Sequence, residues 1–392
     1  MFHLMEPLFD FAYLGLVVAL GLRLLLEGSP SARRYGFMAV LLGAGDAFHL
    51  IPRVLAHLSS QGFERYLPLL SWGEFVTSLS MTFFYLLFYA YYRERSGDSS
   101  SWKKTLVLIL VALRVVLVLL PQNSWGTEGS YAFSLLRNVP FGLLGFFLIL
   151  WAWQKREEEG LHYTALLIFL SFLFYLPVVI GARFMPLLGA LMIPKTVAYI
   201  LLVLVGYRYF IRDFTALSLL KTSLVFLILG LSGGVFYREV TRAFHYSAYT
   251  TLSVLHVHLL VLGTLFPLIL YTILKEQTAE FSSLKRPFTL TLSGLALTVV
   301  SMTVRGLSQI TVTEALPFPD GALSGIAGIG HILLGAGLVL SLLSALWLEL
   351  VWKRPQPKKP LSWPMSTKTM KIGTIHFSVK RTNSLLLNSL PS

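Results

Sequence analysis

SVLHVHLLVLGTLFPLIL, residues 253–270, holds no acid, lysine or arginine in eighteen positions, yet it contains His256 and His258. An apolar run of that length matches what a helix needs to cross a hydrocarbon core about 30 Å thick. Inside such a core every backbone N–H and C=O has to be satisfied within the protein, and an α-helix does this within a single segment. The rest of the chain repeats the pattern. Apolar runs predict spans near 7–27, 35–55, 70–92, 105–121, 136–154, 162–182, 187–210, 217–236, 250–274, 287–308 and 323–352. The expected fold is therefore an all-α polytopic transmembrane helical bundle of about 11 spans.

Composition agrees with a bilayer environment. Of 392 residues, 55% are hydrophobic and 13% charged, against roughly 25% charged in soluble domains. The net charge of +13 would point to nucleic acid in a soluble protein, but here the basic residues gather in one set of loops. Arg33, Arg34, Arg93, Arg95, Lys103, Lys104, Lys155 and Arg156 share a side with Arg208, Arg212, Lys275, Lys285 and Arg286, whereas the opposite loops hold few. The positive-inside rule then places the N-terminus outside and the C-terminus inside, which requires an odd number of spans. The expected setting is the bacterial cytoplasmic membrane, with lipid as the main partner and no nucleic acid. Cysteine is absent, which excludes disulfides, thiolate metal sites and a cysteine nucleophile. The opening MFHLMEPLFDF (1–11) carries acids where a cleavable signal peptide has a basic region.

A basic, aromatic stretch, YRYFIRDFTALSLLK (207–221), divides the pattern. It separates a seven-span domain (1–213) from a four-span domain (214–352), with no convincing repeat between them. Residues 353–392 turn proline-, serine- and lysine-rich, as in a basic disordered cytoplasmic tail.

In the four-span domain, His256 and His258 lie in span nine, Arg305 in TVVSMTVRGLSQ (298–309) and His331 in GIAGIGHILLGAGL (325–338). The alternating direction of the spans puts all four at similar depth in the outer half. Intramembrane ionisable residues are costly and usually face a bundle interior or a cavity. Histidines on two helices at one depth can act as opposite axial ligands of a heme iron, with Arg305 available to a propionate. His256 and His258 point to nearly opposite sides of their helix, so only one can share a centre with His331, and spacing does not choose between them. Gly325, Gly328, Gly330, Gly335 and Gly337 leave room either for a flat macrocycle or for a close helix.

FYRE (236–239), LSVLHVHLLVLG (252–263), VRGLSQ (304–309) and SGIAGIGHILLG (324–335) make residues 217–352 resemble a bacterial four-helix membrane family called domain of unknown function 2871. The HxHLxxLG pattern is also similar to short relatives of heme–copper oxidase subunit I. That resemblance implies heme b ligated by His331 and one of His256 and His258. The further histidines of a complete heme–copper centre are missing, which argues against an oxidase reaction or a proton pump.

In the seven-span domain, LLGAGDAFHLIPRVL (41–55) sets Asp46, His49 and Arg53 on one helical face. Glu74 begins span three, Arg114 lies mid-way along span four, and Lys195 follows a proline in LLGALMIPKTVAYILL (187–202). Together they suggest a buried, roughly balanced network. Its bland reading is structural pairing; its functional readings are a polar binding cavity or a proton relay. Lys195 in span seven, Glu74 in span three and SFLFYLPVVIG (171–181) also resemble the microbial rhodopsins, which implies retinal on Lys195 as a minor alternative. Pro194 departs from that family's pattern.

No P-loop, HExxH or nucleophile elbow is present. Tyr91, Tyr92, Trp102, Trp151, Trp153 and Trp352 at span ends read as interfacial anchors. The leading expectation is a b-type heme protein for electron transfer or small-molecule sensing, working with a membrane redox or signalling partner. The alternative is a cofactor-free transporter or receptor built on the seven-span cavity. On the predicted sidedness, green fluorescent protein fused after Trp352 fluoresces and alkaline phosphatase fused there stays inactive; the reverse pair of results overturns the orientation.

Overall fold

A computed structural model describes residues 2–59, 62–277, 281–311 and 320–352. Among the described residues there is no strand, and eleven long helical elements follow one another. They are α1 Phe2–Leu25, α2 Pro30–Leu58, α3 Gly62–Ser96, α4 Ser101–Leu119, α5 Tyr131–Gln154 and α6 Thr164–Gly181. After these come α7 Pro186–Phe210, α8 Ala216–Ala243, α9 Thr251–Leu274, α10 Ser282–Thr311 and α11 Asp320–Trp352. Ten are long and apolar enough to cross a membrane. The remaining one, α4, carries Lys103, Lys104 and Arg114 within 19 residues. The expected disordered tail, 353–392, lies outside the described residues.

The helices begin where local chemistry starts them. Ser29 caps α2 by accepting from the Ala32 N–H at 3.5 Å, with Pro30 at the first helical position. Ser130 caps α5, and Thr215 with Ser218 forms a reciprocal box at the start of α8. The 35 residues of α3 span roughly 50 Å, so its ends project beyond a hydrocarbon core. At its exit, Asp98 accepts from Tyr92 at 3.1 Å, Lys103 at 2.5 Å and the Ser100 N–H at 2.9 Å. Burial acts to raise the Asp98 pKa, but the hydrogen bonds from Lys103 and Ser100 outweigh it and hold the carboxyl well below the usual carboxylate range.

Three buried apolar clusters hold the bundle. One lies within α1–α7 around Tyr35, Phe84, Tyr85, Phe88 and Tyr199. A second, around Leu219, Leu270 and Phe288, belongs to α8–α11. The third unites Leu8, Val54 and Leu55 with Leu252, Leu255, Val304 and Leu307. The seven-span and four-span segments of the sequence thus share a core, and Lys221 of α8 pairs at 2.9 Å with Glu27, just past α1. Tyr91, Tyr92 and Trp151, read from sequence as interfacial anchors, are buried, whereas Trp102, Trp153 and Trp352 are exposed. Two of the buried three sit by Lys103, whose ammonium lies 5.1 Å from the Trp151 ring centre and 5.9 Å from that of Tyr92, while Tyr91 donates to the Gly160 carbonyl at 2.9 Å.

Lipid is as apolar as a leucine side chain, so burial alone drives little helix association in a bilayer; close backbone approach and interhelical hydrogen bonds do more. The contact of α2 with α3 shows how. Pro52 has no N–H, which leaves the Phe48 carbonyl four residues earlier without its helical donor. That oxygen lies where a Cβ on Gly73 would be, at 2.3 Å. Only glycine permits the approach, and its Cα–H faces the freed oxygen. Gly73→Ala is expected to force the helices apart at about 1–3 kcal/mol, lowering the unfolding midpoint in mild detergent. An unchanged midpoint would show that α2 and α3 are not so closely apposed.

Candidate functional sites

α2 directs one polar face toward α1 and α7. Between these helices, with Thr77 of α3, lies a cavity of about 350 Å³ lined by Asp46, His49, Arg53 and Lys195 together with Glu6 and Asp10 of α1. Four of the residues singled out from sequence are therefore brought together. Tyr13 donates to Asp46 at 2.6 Å. Arg53 donates to Glu6 at 2.5 Å, and His57 Nε2 is 3.1 Å from the other Glu6 oxygen. His49 Nδ1 lies 3.2 Å from the Leu70 carbonyl. A carbonyl can only accept, so Nδ1 carries the hydrogen and Nε2 of the neutral ring is an acceptor.

Two members of the lining are held differently. The Lys195 ammonium has no carboxylate within 4 Å among the described residues; it rests over the rings of Tyr175 at 5.1 Å and Tyr199 at 5.5 Å. Asp10 Oδ2 is buried and makes no hydrogen bond. Glu6 and Asp10 are not among the site residues the sequence points to, because they fall in the opening segment, whose acids bear in sequence only on the absence of a signal-peptide pattern. Their four-residue spacing on one face was the available signal.

Glu74 and Arg114 stand apart from the cavity. Glu74 pairs with Arg137, whose other guanidinium nitrogen donates to Asn123 at 2.8 Å and whose plane lies 4.5 Å from the Trp125 ring centre. Arg114 donates to the Arg137 carbonyl and, at 2.9 Å, to Asn138. Asn123 in turn donates to Leu117 and Leu120 at the end of α4. This second assembly ties the end of α4 to the turn into α5. Arg137, at the very start of the span predicted near 136–154, is buried on α5 and is the centre of the group. Tyr175 touches both assemblies: its ring lies beneath Lys195 and its hydroxyl donates to Asn138 at 2.9 Å. The carboxylates that share the cavity with Lys195 are thus Asp46, Glu6 and Asp10; Glu74, which the rhodopsin resemblance names, is not among them.

The third group lies on α9 and α11. His258 and His331 face each other with ring centres 6.3 Å apart and planes at 89°. Their Nδ1 atoms lie 2.9 Å from the Val254 carbonyl and 2.8 Å from the Ala327 carbonyl. Both Nδ1 atoms therefore carry hydrogen, and both Nε2 lone pairs are left available. His256 turns the other way: its ring packs by Gly234 of α8, and its Nδ1 is buried without a hydrogen-bond partner. Geometry thus selects His258 over His256 as the neighbour of His331. Seven residues, Leu259–Leu265, then widen to a π-helical turn, a feature frequent at functional sites.

The glycines of α11 divide between the two uses open to them in sequence. Gly330 and Gly337 take the backbone of α10, with Thr298 and Thr291 within 3 Å of where a Cβ would be. Gly325, Gly328 and Gly335 have nothing within 4 Å of that point. Helical periodicity sets Gly328 and Gly335 on the same side as His331. Arg305 donates to Asp320 at 2.8 Å and to Ser324 at 2.6 Å, roughly 10 Å along α11 from His331.

Among the described residues, no group of three or more histidine, aspartate or glutamate side chains converges on a metal position. A two-histidine site is a different case. A metal–imidazole bond is about 2 Å long and the nitrogen is about 1 Å from its ring centre, so rings on opposite sides of one ion have centres about 6 Å apart. The His258–His331 separation matches that distance, and the bare glycine side of α11 gives a flat group room beside it.

No curated protein and no solved structure matches the chain significantly. The four-helix segment does match a family model: residues 217–347 are similar to the family described as protein of unknown function (DUF2871).

Proposed function

We propose that the chain is a multi-pass protein of the bacterial cytoplasmic membrane that holds a b-type heme between α9 and α11, for electron transfer or for sensing a small molecule. In this reading α4 is the eleventh span, the N-terminus is outside, and the redox or signalling partner is itself in the membrane. The paired imidazoles of His258 and His331 carry the proposal, because both Nδ1–H groups are committed to carbonyls and both Nε2 atoms are free. A hydrogen bond at the far nitrogen of a ligating histidine fixes its tautomer and orientation and raises its basicity. Bound there, heme would supply one-electron chemistry or a ligand position at iron.

The chain's residues would do the rest. Val254 and Ala327 orient the rings through their carbonyls, the glycines at 328 and 335 leave open space on the His331 side of α11, and Arg305 holds a positive charge about 10 Å along that helix. Arg305 is paired with Asp320, so a propionate would share or replace that partner. The seven-span segment would serve as the module that senses a ligand or relays protons.

Protein purified in mild detergent from cells grown with hemin is expected to show a Soret band that sharpens on reduction by dithionite. His258→Ala and His331→Ala should each abolish that band in protein that still inserts and elutes normally, and His256→Ala should keep it. A colourless protein, or a spectrum indifferent to His258 and His331, overturns the assignment.

A further inference from the structure

The cavity between α1, α2 and α7 has a chemistry independent of the histidine pair. Most of its charged lining is already satisfied: Glu6 by Arg53 and His57, Asp46 by Tyr13. Lys195 and Asp10 are not, although their relative exposures are 8% and 6%. A buried charge without a partner is costly, and so is a buried polar atom without a hydrogen bond. Natural bundles usually pair such groups or remove them. Here two of opposite sign stay unmatched in one cavity, and no pair between them lies within 4 Å among the described residues.

Each group is prepared for a ligand. The two tyrosine rings beneath Lys195 steady its ammonium without occupying its hydrogens, which leaves those donors for an incoming anion. Asp10 Oδ2 is an acceptor without a donor. The remaining wall, which includes Phe9, Leu50, Ala190 and Ile193, is apolar. The volume, about 350 Å³, is at the small end of natural ligand sites and suits a molecule of amino-acid size.

We infer that this cavity binds a small zwitterion, of the class of an α-amino acid with an apolar side chain, its carboxylate on Lys195 and its ammonium on Asp10. The ligand brings both missing partners in one molecule, and its side chain contacts Phe9, Leu50 and Ile193. His49 Nε2, an acceptor in the neutral ring, supplies a further polar contact. An anion alone would leave Asp10 unmatched, and a cation alone would leave Lys195 unmatched, so the zwitterion is favoured over either.

The test is thermal unfolding of the purified full chain in mild detergent with L-leucine, with 4-methylpentanoate (no ammonium) and with leucinamide (no carboxylate). L-Leucine should raise the midpoint by about 2 °C or more at saturation, and by more than either analogue. Lys195→Met should remove the response to L-leucine. Asp10→Asn, the milder change, should reduce the response to L-leucine to that of 4-methylpentanoate. Normal elution of both variants is checked by size exclusion. No response to L-leucine, an equal response in Lys195→Met, or stabilisation by sodium or pH alone overturns the proposal. Because none of these measurements involves His258 or His331, their failure leaves the heme reading to its own spectra.

Discussion

Helices in hydrocarbon gain little by hiding apolar side chains from one another, because lipid offers the same contact. What holds this bundle in one arrangement is therefore backbone approaching backbone, and polar atoms finding partners across helices. The Phe48 carbonyl against Gly73 joins α2 to α3. Gly294 admits the Leu334 backbone and Gly337 admits that of Thr291, which locks α10 to α11. Tyr35 donates to the Leu202 carbonyl at 2.7 Å, and Tyr85 reaches Ser171 and Tyr199 at 3.2 and 3.0 Å. Each of these fixes a register that greasy side chains alone would leave free to slide.

The intramembrane charges follow from the same constraint. A charge in low dielectric persists only when compensated, and Glu74 with Arg137, Arg53 with Glu6, and Arg305 with Asp320 meet that condition directly. The Glu74–Arg137 group, tied to Asn123, Asn138 and Arg114, has its charges compensated within the fold. The cavity group differs because its compensation is incomplete, and the histidine pair differs because both Nε2 lone pairs are left free on neighbouring rings. Departures from full pairing, set in an otherwise satisfied interior, are where function is expected.

Much of this was legible in the sequence. Run length predicted helices at every span, and the structure has one at each. The grouping of Asp46, His49 and Arg53 followed from helical spacing within α2, a local property. Long-range pairing was not legible. Glu74 and Lys195 looked like partners on a resemblance to a known family, but Arg137 claims Glu74 through the packing of α5 on α3. Asp10 and Glu6 passed as features of an N-terminal segment, and only the position of α1 beside α2 and α7 brings them into the cavity. His256 and His258 were equivalent by spacing; the placement of α8 against one and α11 against the other separates them. The α11 glycines could not be sorted from sequence, since contact with α10 decides which of them is bare.

What marks the cavity as a site is, above all, that Asp10 is retained without a structural partner. The direct measurement is the unfolding midpoint of Asp10→Asn beside that of Asp46→Asn, both free of ligand in mild detergent. Asp46→Asn, which replaces the anionic acceptor of the Tyr13 hydroxyl by a neutral one, should lower the midpoint. Asp10→Asn removes a buried carboxyl oxygen that has no donor, and should leave the midpoint unchanged or raise it. A loss at Asp10 as large as that at Asp46 would mean that Asp10 is paired within the fold, and would contradict the reading of the cavity as a site awaiting a ligand.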